Sequence, residues 1–232
     1  MSNYWKDKII KAVDKLPPSV MNLSKEAGSR SDFDLIDNPS DRMDPINLKP
    51  ASVVVGIVEG DVPKLFLTKR SDQLEQHSGQ IAFPGGKVEK NESFTDAAIR
   101  EAEEEIGLKA SDFEICGYLD TYETGTGYRI LPVVGFIKSN FKAKIDTNEV
   151  AETFKVPFDF LMDSNNHQLQ SAEWKGMVRK FYTIPYESYK IWGATAGMIR
   201  NLYERISTVS YTHLRAHETE ADLVCRLRLE KK

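Results

Sequence analysis

Apolar positions recur at helical spacing in three stretches of the chain. Trp5, Ile9, Val13 and Leu16 mark an amphipathic N-terminal helix, and Pro17-Pro18 stops it because proline cannot donate the next backbone hydrogen bond. Phe94, Ala97, Ala98, Ala102 and Ile106 predict a helix over about residues 94–106. Ser93-x-x-Asp96 is suited to cap its start, and Gly107 stands where a left-handed residue closes the last turn. Met198, Ile199, Leu202 and Ile206 share one face of a last helix over about 195–206, a core stripe.

Elsewhere the pattern is that of strands. Ser52–Val58 is apolar on both faces, as a central strand is, and Leu65–Thr68 follows as its hairpin partner. Further strands are expected at about 113–119, 129–137, 153–157 and 178–184. Phe83-Pro84-Gly85-Gly86 reads as a strand end running into a glycine turn. Residues 24–50 are polar, carry Pro39, Pro45 and Pro50, and read as an irregular arm. Few helices around a mixed sheet make an α+β fold. No internal repeat is visible.

Composition narrows the class. The chain has 232 residues, 41% hydrophobic, enough for one well-filled domain without requiring two. A net charge of −4 and the absence of a long basic stretch speak against nucleic-acid binding. No apolar run nears ~20 residues and no signal-peptide core is present, so the expectation is a cytoplasmic protein that does not enter membranes. Cys116 and Cys225 are too few and too far apart for a disulfide framework or zinc site. Residues 209–232 change character and resemble translated sequencing-adapter read-through, so they are set aside as non-native, with no role for His213, His217 or Cys225. They hold five basic and four acidic side chains, and setting them aside moves the net charge only from −4 to −5. The expected organisation is an arm over 1–49, a domain over 50–208 and this tail.

The chemistry is concentrated between Gly86 and Leu108, in Gly86-x5-Glu92-x7-Arg100-Glu101-Ala102-x-Glu104-Glu105-x-Gly107-Leu108. An acidic run alone is ordinarily a solvated helix face. Here seven fixed glycine, glutamate and arginine positions stand in register, and at ~6–7% usage each a given window matches by chance about once in 10⁸–10⁹. On the helix, Glu101 and Glu105 are one turn apart and Glu104 is three residues from Glu101, so their carboxylates crowd together. Arg100 reaches Glu104 at i+4, and Glu92 can brace the guanidinium from the preceding loop. The remaining negative charge calls for metal, and Glu101 and Glu105 suit Mg²⁺, which one or two carboxylates ordinarily hold; the Gly85 carbonyl is a further candidate ligand. At Gly86 a missing Cβ lets backbone approach metal or phosphate.

This spacing is that of the Nudix box, and the segment resembles the catalytic loop and helix of Nudix hydrolases. The resemblance implies an α/β/α sandwich with a mixed sheet, Mg²⁺ or Mn²⁺ held by Glu101 and Glu105 with help from Glu104, and a diphosphate linked to another moiety. Its flanks narrow the moiety. Leu67-Thr68-Lys69-Arg70-Ser71, Glu75-Gln76-His77-Ser78-Gly79-Gln80 and the run to Gly86 resemble the segment before the box in coenzyme A pyrophosphatases. So do Gly127–Gly135, Asn148–Glu152 and Ile191–Ala196. Many members carry arginine where this chain has Glu75, so the phosphate grip falls more to Arg70, Lys69 or His77. Trp192 reads as a core or sheet-end anchor, and Arg129 points either to the pocket or to solvent.

The resemblance implies hydrolysis of coenzyme A or its thioesters to 3′,5′-ADP and 4′-phosphopantetheine or an acyl derivative. Glu101, or Glu149 or Glu152 of the Asn148–Glu152 loop, would take the proton from water, and the sequence does not choose. Rival readings are a Nudix hydrolase of ADP-ribose, dinucleotides or nucleoside triphosphates, and a non-catalytic sensor domain. The sensor reading predicts a lost box carboxylate, and none is lost. Nudix domains pair in several ways, which leaves room for a homodimer.

Overall fold

The strand predicted from Ser52–Val58 is the centre of the molecule in the computed structural model, which describes residues 3–17, 30–35, 48–73, 78–174 and 177–209. It runs from Lys49 to Val58 (β2) and sends Val53, Val55 and Ile57 to one face and Val54 and Val58 to the other. Each face therefore needs a covering layer. On one side lies α2 (Phe94–Ile106), whose Phe94, Ala98, Ala102 and Ile106 join Val54, Phe66, Leu131 and Val133. Burying each large apolar side chain there contributes roughly 1.5–3 kcal/mol. On the other side lie α1 (Asn3–Ala12), the short α3 (Phe158–Leu161) and α4 (residues 193–209), through Ile9, Val13, Phe158, Leu161, Ile199 and Leu202. The result is the expected α/β/α arrangement on a mixed sheet.

Besides β2, that sheet holds β1 (Arg30–Ser31), β3 (Lys64–Arg70), β4 (Ile81–Ala82), β5 (Gly85–Lys87), β6 (Phe113–Tyr118), β7 (Tyr122–Glu123), β8 (Tyr128–Ile137) and β9 (Val150–Pro157). The main path is β1-β7-β8-β2-β3-β4, with β5 also on β2, β6 on β8 and β9 on β3. A second sheet contains β10 (Gln168–Trp174), β11 (Met177–Tyr186) and β12 (Tyr189–Trp192).

Several expectations change. The N-terminal helix ends at Ala12 rather than running to the prolines, because Asp14 leaves it to exchange backbone hydrogen bonds of 3.0 and 2.9 Å with Tyr118. Leu16 is consequently 80% exposed. The hairpin of β2 and β3 is paired only at Ile57↔Leu65 and Val58↔Lys64. The long partner of β2 is β8, parallel from Lys49↔Tyr128 to Val58↔Ile137, and that of β3 is β9. Gly85 and Gly86 lie not in a turn but in β5, opposite Val53 and Ser52. Arg129 reaches neither pocket nor solvent, since its Nη2 lies 2.8 Å from Glu123 and both side chains are buried. Trp192, 40% exposed, stands at the sheet end against Phe181. Among the described residues no helix is long and apolar enough to cross a membrane. Of the suspected read-through over residues 209–232, Val209 closes α4 against the core and residues 210–232 lie outside the described residues.

Candidate active site

Local sequence signals set α2 in place. The Ser93 hydroxyl accepts from the Asp96 N–H at 3.1 Å, and Gly107, at φ 70, turns its N–H back onto the last carbonyls. A loop completes the same helix end. Lys144 N–H donates to the Ile106 carbonyl and Asp146 N–H to that of Glu105, each at 2.9 Å. These bonds satisfy acceptors the helix cannot pair itself, and they bring Glu149 to the site. A 2.8 Å bond from Ser71 N–H to the Glu149 carbonyl ties that loop to the end of β3.

Arg100 organises the outer flank. Its Nε and Nη2 take the two oxygens of Glu92 at 2.8 and 3.1 Å, a forked pair, and Nη2 also donates to the Lys87 carbonyl at 3.0 Å. Nη1 contacts Glu101 at 3.0 Å and Glu104 at 3.3 Å. The Arg100 bond holds the Glu92 carboxyl below its ordinary range. The contact with Lys87 had no signal in the sequence, because a backbone carbonyl carries no residue signature.

Glu101 and Glu105 face the glycine strand. A Cβ at Gly86 would run into the Glu101 carboxylate, so only glycine permits this approach. Gly85 N–H donates to Oε2 of Glu105 at 3.2 Å, and Arg70 Nη1 lies 3.7 Å from Oε1. Glu105 is only 3% exposed. Burial pushes its carboxyl up to about 8, against the pull of Gly85 N–H and Arg70, with Glu149 and Glu101 adding to the rise. Burial also raises Glu101, opposed by Arg100 and reinforced by Glu104 and Glu149.

Three box carboxylates do not meet at one point. Successive residues turn by ~100°, so Glu104 and Glu105 lie on either side of Glu101. The Glu104 side chain is 60% exposed beside Arg100. Among the described residues no group of three or more His, Cys, Asp or Glu side chains is placed to hold a metal ion. The two loop acids also part company. Glu149 adds its charge to Glu101 and Glu105, whereas Glu152 sits on β9 opposite Lys69, 3.4 Å from its Nζ, and accepts from the Tyr189 hydroxyl at 3.1 Å. His77 and Glu75 lie outside the described residues.

The donor set matches a hard divalent cation. It offers carboxylate oxygens from Glu101 and Glu105 beside a glycine backbone, and among the described residues the acids gathered there outnumber the cations Arg70 and Arg100.

The model of the NUDIX domain family matches residues 48–175. The chain is 36% identical over 173 residues to the uncharacterized Nudix hydrolase NudL of Shigella flexneri, covering 74% of this chain and 90% of the relative. NudL of Escherichia coli strain SMS-3-5 matches with the same identity and coverage. Among solved structures, the MutT protein of Methanosarcina mazei Go1 is 20% identical with a TM-score of 0.45, over 70% of this chain and 95% of that one. An acidic helix laid against a glycine strand on a mixed sheet thus has its class: the chain belongs to the Nudix domain family. It is a Nudix hydrolase.

Proposed function

We propose that this enzyme hydrolyses the diphosphate of coenzyme A or its thioesters, releasing 3′,5′-ADP and 4′-phosphopantetheine or its acyl derivative. The observation that carries the reading is the segment from Leu67 to Gly86. It resembles the segment before the box in coenzyme A pyrophosphatases, and its described ends meet the site, with Arg70 beside Glu105 and Gly86 against Glu101. Substrate choice and box chemistry would then share one pocket.

Glu101 and Glu105 would hold Mg²⁺ or Mn²⁺, with the Gly85 carbonyl as a further ligand and Glu104 at the rim. Bound there, the cation would supply Lewis acidity and neutralise charge on the phosphoryl oxygens. Glu149 is the residue we assign to accept the proton of the attacking water, since it is the loop acid whose charge reaches both Glu101 and Glu105. Arg70 and His77 would bind phosphate oxygens, and the Gly86 backbone would leave room for them. Arg100, Glu92 and Gly107 keep α2 and its carboxylates in place.

The test is product analysis. Incubated with Mn²⁺ and a panel of diphosphates, the full chain should convert coenzyme A to 3′,5′-ADP, read by mass. AMP from ADP-ribose as the main product would replace this reading with the wider one. No turnover of any diphosphate would favour a sensor.

A further inference from the structure

The two arginines at the site are held in opposite ways. Arg100 is locked by hydrogen bonds to Glu92, Glu101, Glu104 and the Lys87 carbonyl. Among the described residues Arg70 is hydrogen-bonded only through its backbone, where its N–H donates to Gln80 and its carbonyl accepts from Gly79 at a β-bulge between Lys69 and Arg70. Its guanidinium meets Glu105 at 3.7 Å, beyond the ~2.7–3.2 Å of a hydrogen bond. Nε is buried with no hydrogen-bond partner among the described residues, while the side chain as a whole stays 28% exposed. Arg70 therefore supplies charge to Glu105 without committing its donors. A guanidinium offers five N–H groups in a rigid fork that matches phosphate oxygens.

We propose that Arg70 is a displaceable counter-ion. In the metal-free chain it is the counter-ion of Glu105 whenever that carboxyl is ionised; once this carboxylate holds a divalent cation, the guanidinium is repelled from it and turns its uncommitted donors to the diphosphate. Metal and diphosphate then bind cooperatively, because the first ligand releases the group that receives the second. The gripping half rests on the diphosphate reading above; the competition with metal does not.

Binding to the full chain at one fixed pH above 8, where Glu105 is ionised, tests both halves without turnover. Mn²⁺ alone, titrated by electron paramagnetic resonance, should bind Arg70→Gln roughly two- to fivefold tighter than wild type, the scale of a partly exposed charge pair, with Arg70→Lys near wild type. Methylenediphosphonate, a non-hydrolysable diphosphate, should bind the Mn²⁺-loaded wild type with a mutual gain of about tenfold, reduced severalfold in Arg70→Gln. Weaker or unchanged Mn²⁺ binding in Arg70→Gln would overturn the proposal, because an arginine that merely props Glu105 in place predicts loss. Tighter Mn²⁺ binding with no methylenediphosphonate binding by the loaded wild type would keep the counter-ion and overturn the grip together with the diphosphate reading.

Discussion

A carboxylate enclosed as Glu105 is, with the Arg70 guanidinium loosely held at 3.7 Å, gives up its proton late, near pH 8 rather than at its ordinary value. The sign of its effect on stability follows. The unfolded chain loses this proton near ~4.3, the folded chain near 8, so in the metal-free protein Glu105 costs nothing in acid and costs progressively more as pH rises to 8, then levels off. Glu105→Gln should therefore abolish turnover while raising the melting temperature of the chelator-treated protein at pH 8, with the gain shrinking toward pH 5. A variant that keeps most activity would sink the metal-ligand role, and one that melts lower at pH 8 would sink the burial account. That Glu105 belongs to a chemical site was legible from the box. Its enclosure was not, because it depends on β5 and on the 144–150 loop closing over α2 from distant parts of the chain.

Among the elements, α2 was the most legible. Its cap, its apolar period and its closing glycine are all local, and the observed bounds, Phe94–Ile106, are those predicted. Gly107 sits at φ 70, where a side chain is strained, and a Cβ would come within 3.2 Å of that of Lys144. Gly107→Ala should cost about 1–2 kcal/mol in urea unfolding, and more than the same substitution at an open surface position would. No measurable loss would show that the helix end relaxes freely. The short strands were illegible for the opposite reason. Two-residue segments such as β4 and β7 carry no period, and they exist because a neighbour supplies their hydrogen bonds. Asp14 leaving the first helix for Tyr118 is the same effect, a distant backbone outcompeting a local apolar stripe.

For the molecule as a whole, the two covering layers meet β2 through separate apolar clusters, and polar groups trapped beneath them set its response to acid. His167 is one such group. Its Nε2 lies 2.8 Å from the Leu161 carbonyl and its ring packs edge-on to Tyr203, while burial lowers its pKa and Nδ1 has no hydrogen-bond partner among the described residues. The unfolded chain therefore takes up this proton first, near ~6.5, so the stability His167 contributes is present above that pH and is lost as pH falls toward the lower folded value. Between pH 7.5 and 5.5 wild type should lose more melting temperature than His167→Gln, which can still donate to Leu161 but does not titrate. Equal losses would place the acid sensitivity elsewhere. By itself the sequence determined what is encoded at short range: the capped acidic helix, the central apolar strand, and the spacing that marks a Nudix box. Only the tertiary structure decided that β2 pairs in parallel with β8, that Glu104 turns outward while Glu105 is enclosed, and that Glu149 rather than Glu152 joins the box carboxylates. Those outcomes depend on which distant segments bury each other's surface and satisfy each other's hydrogen bonds, and no local pattern records that.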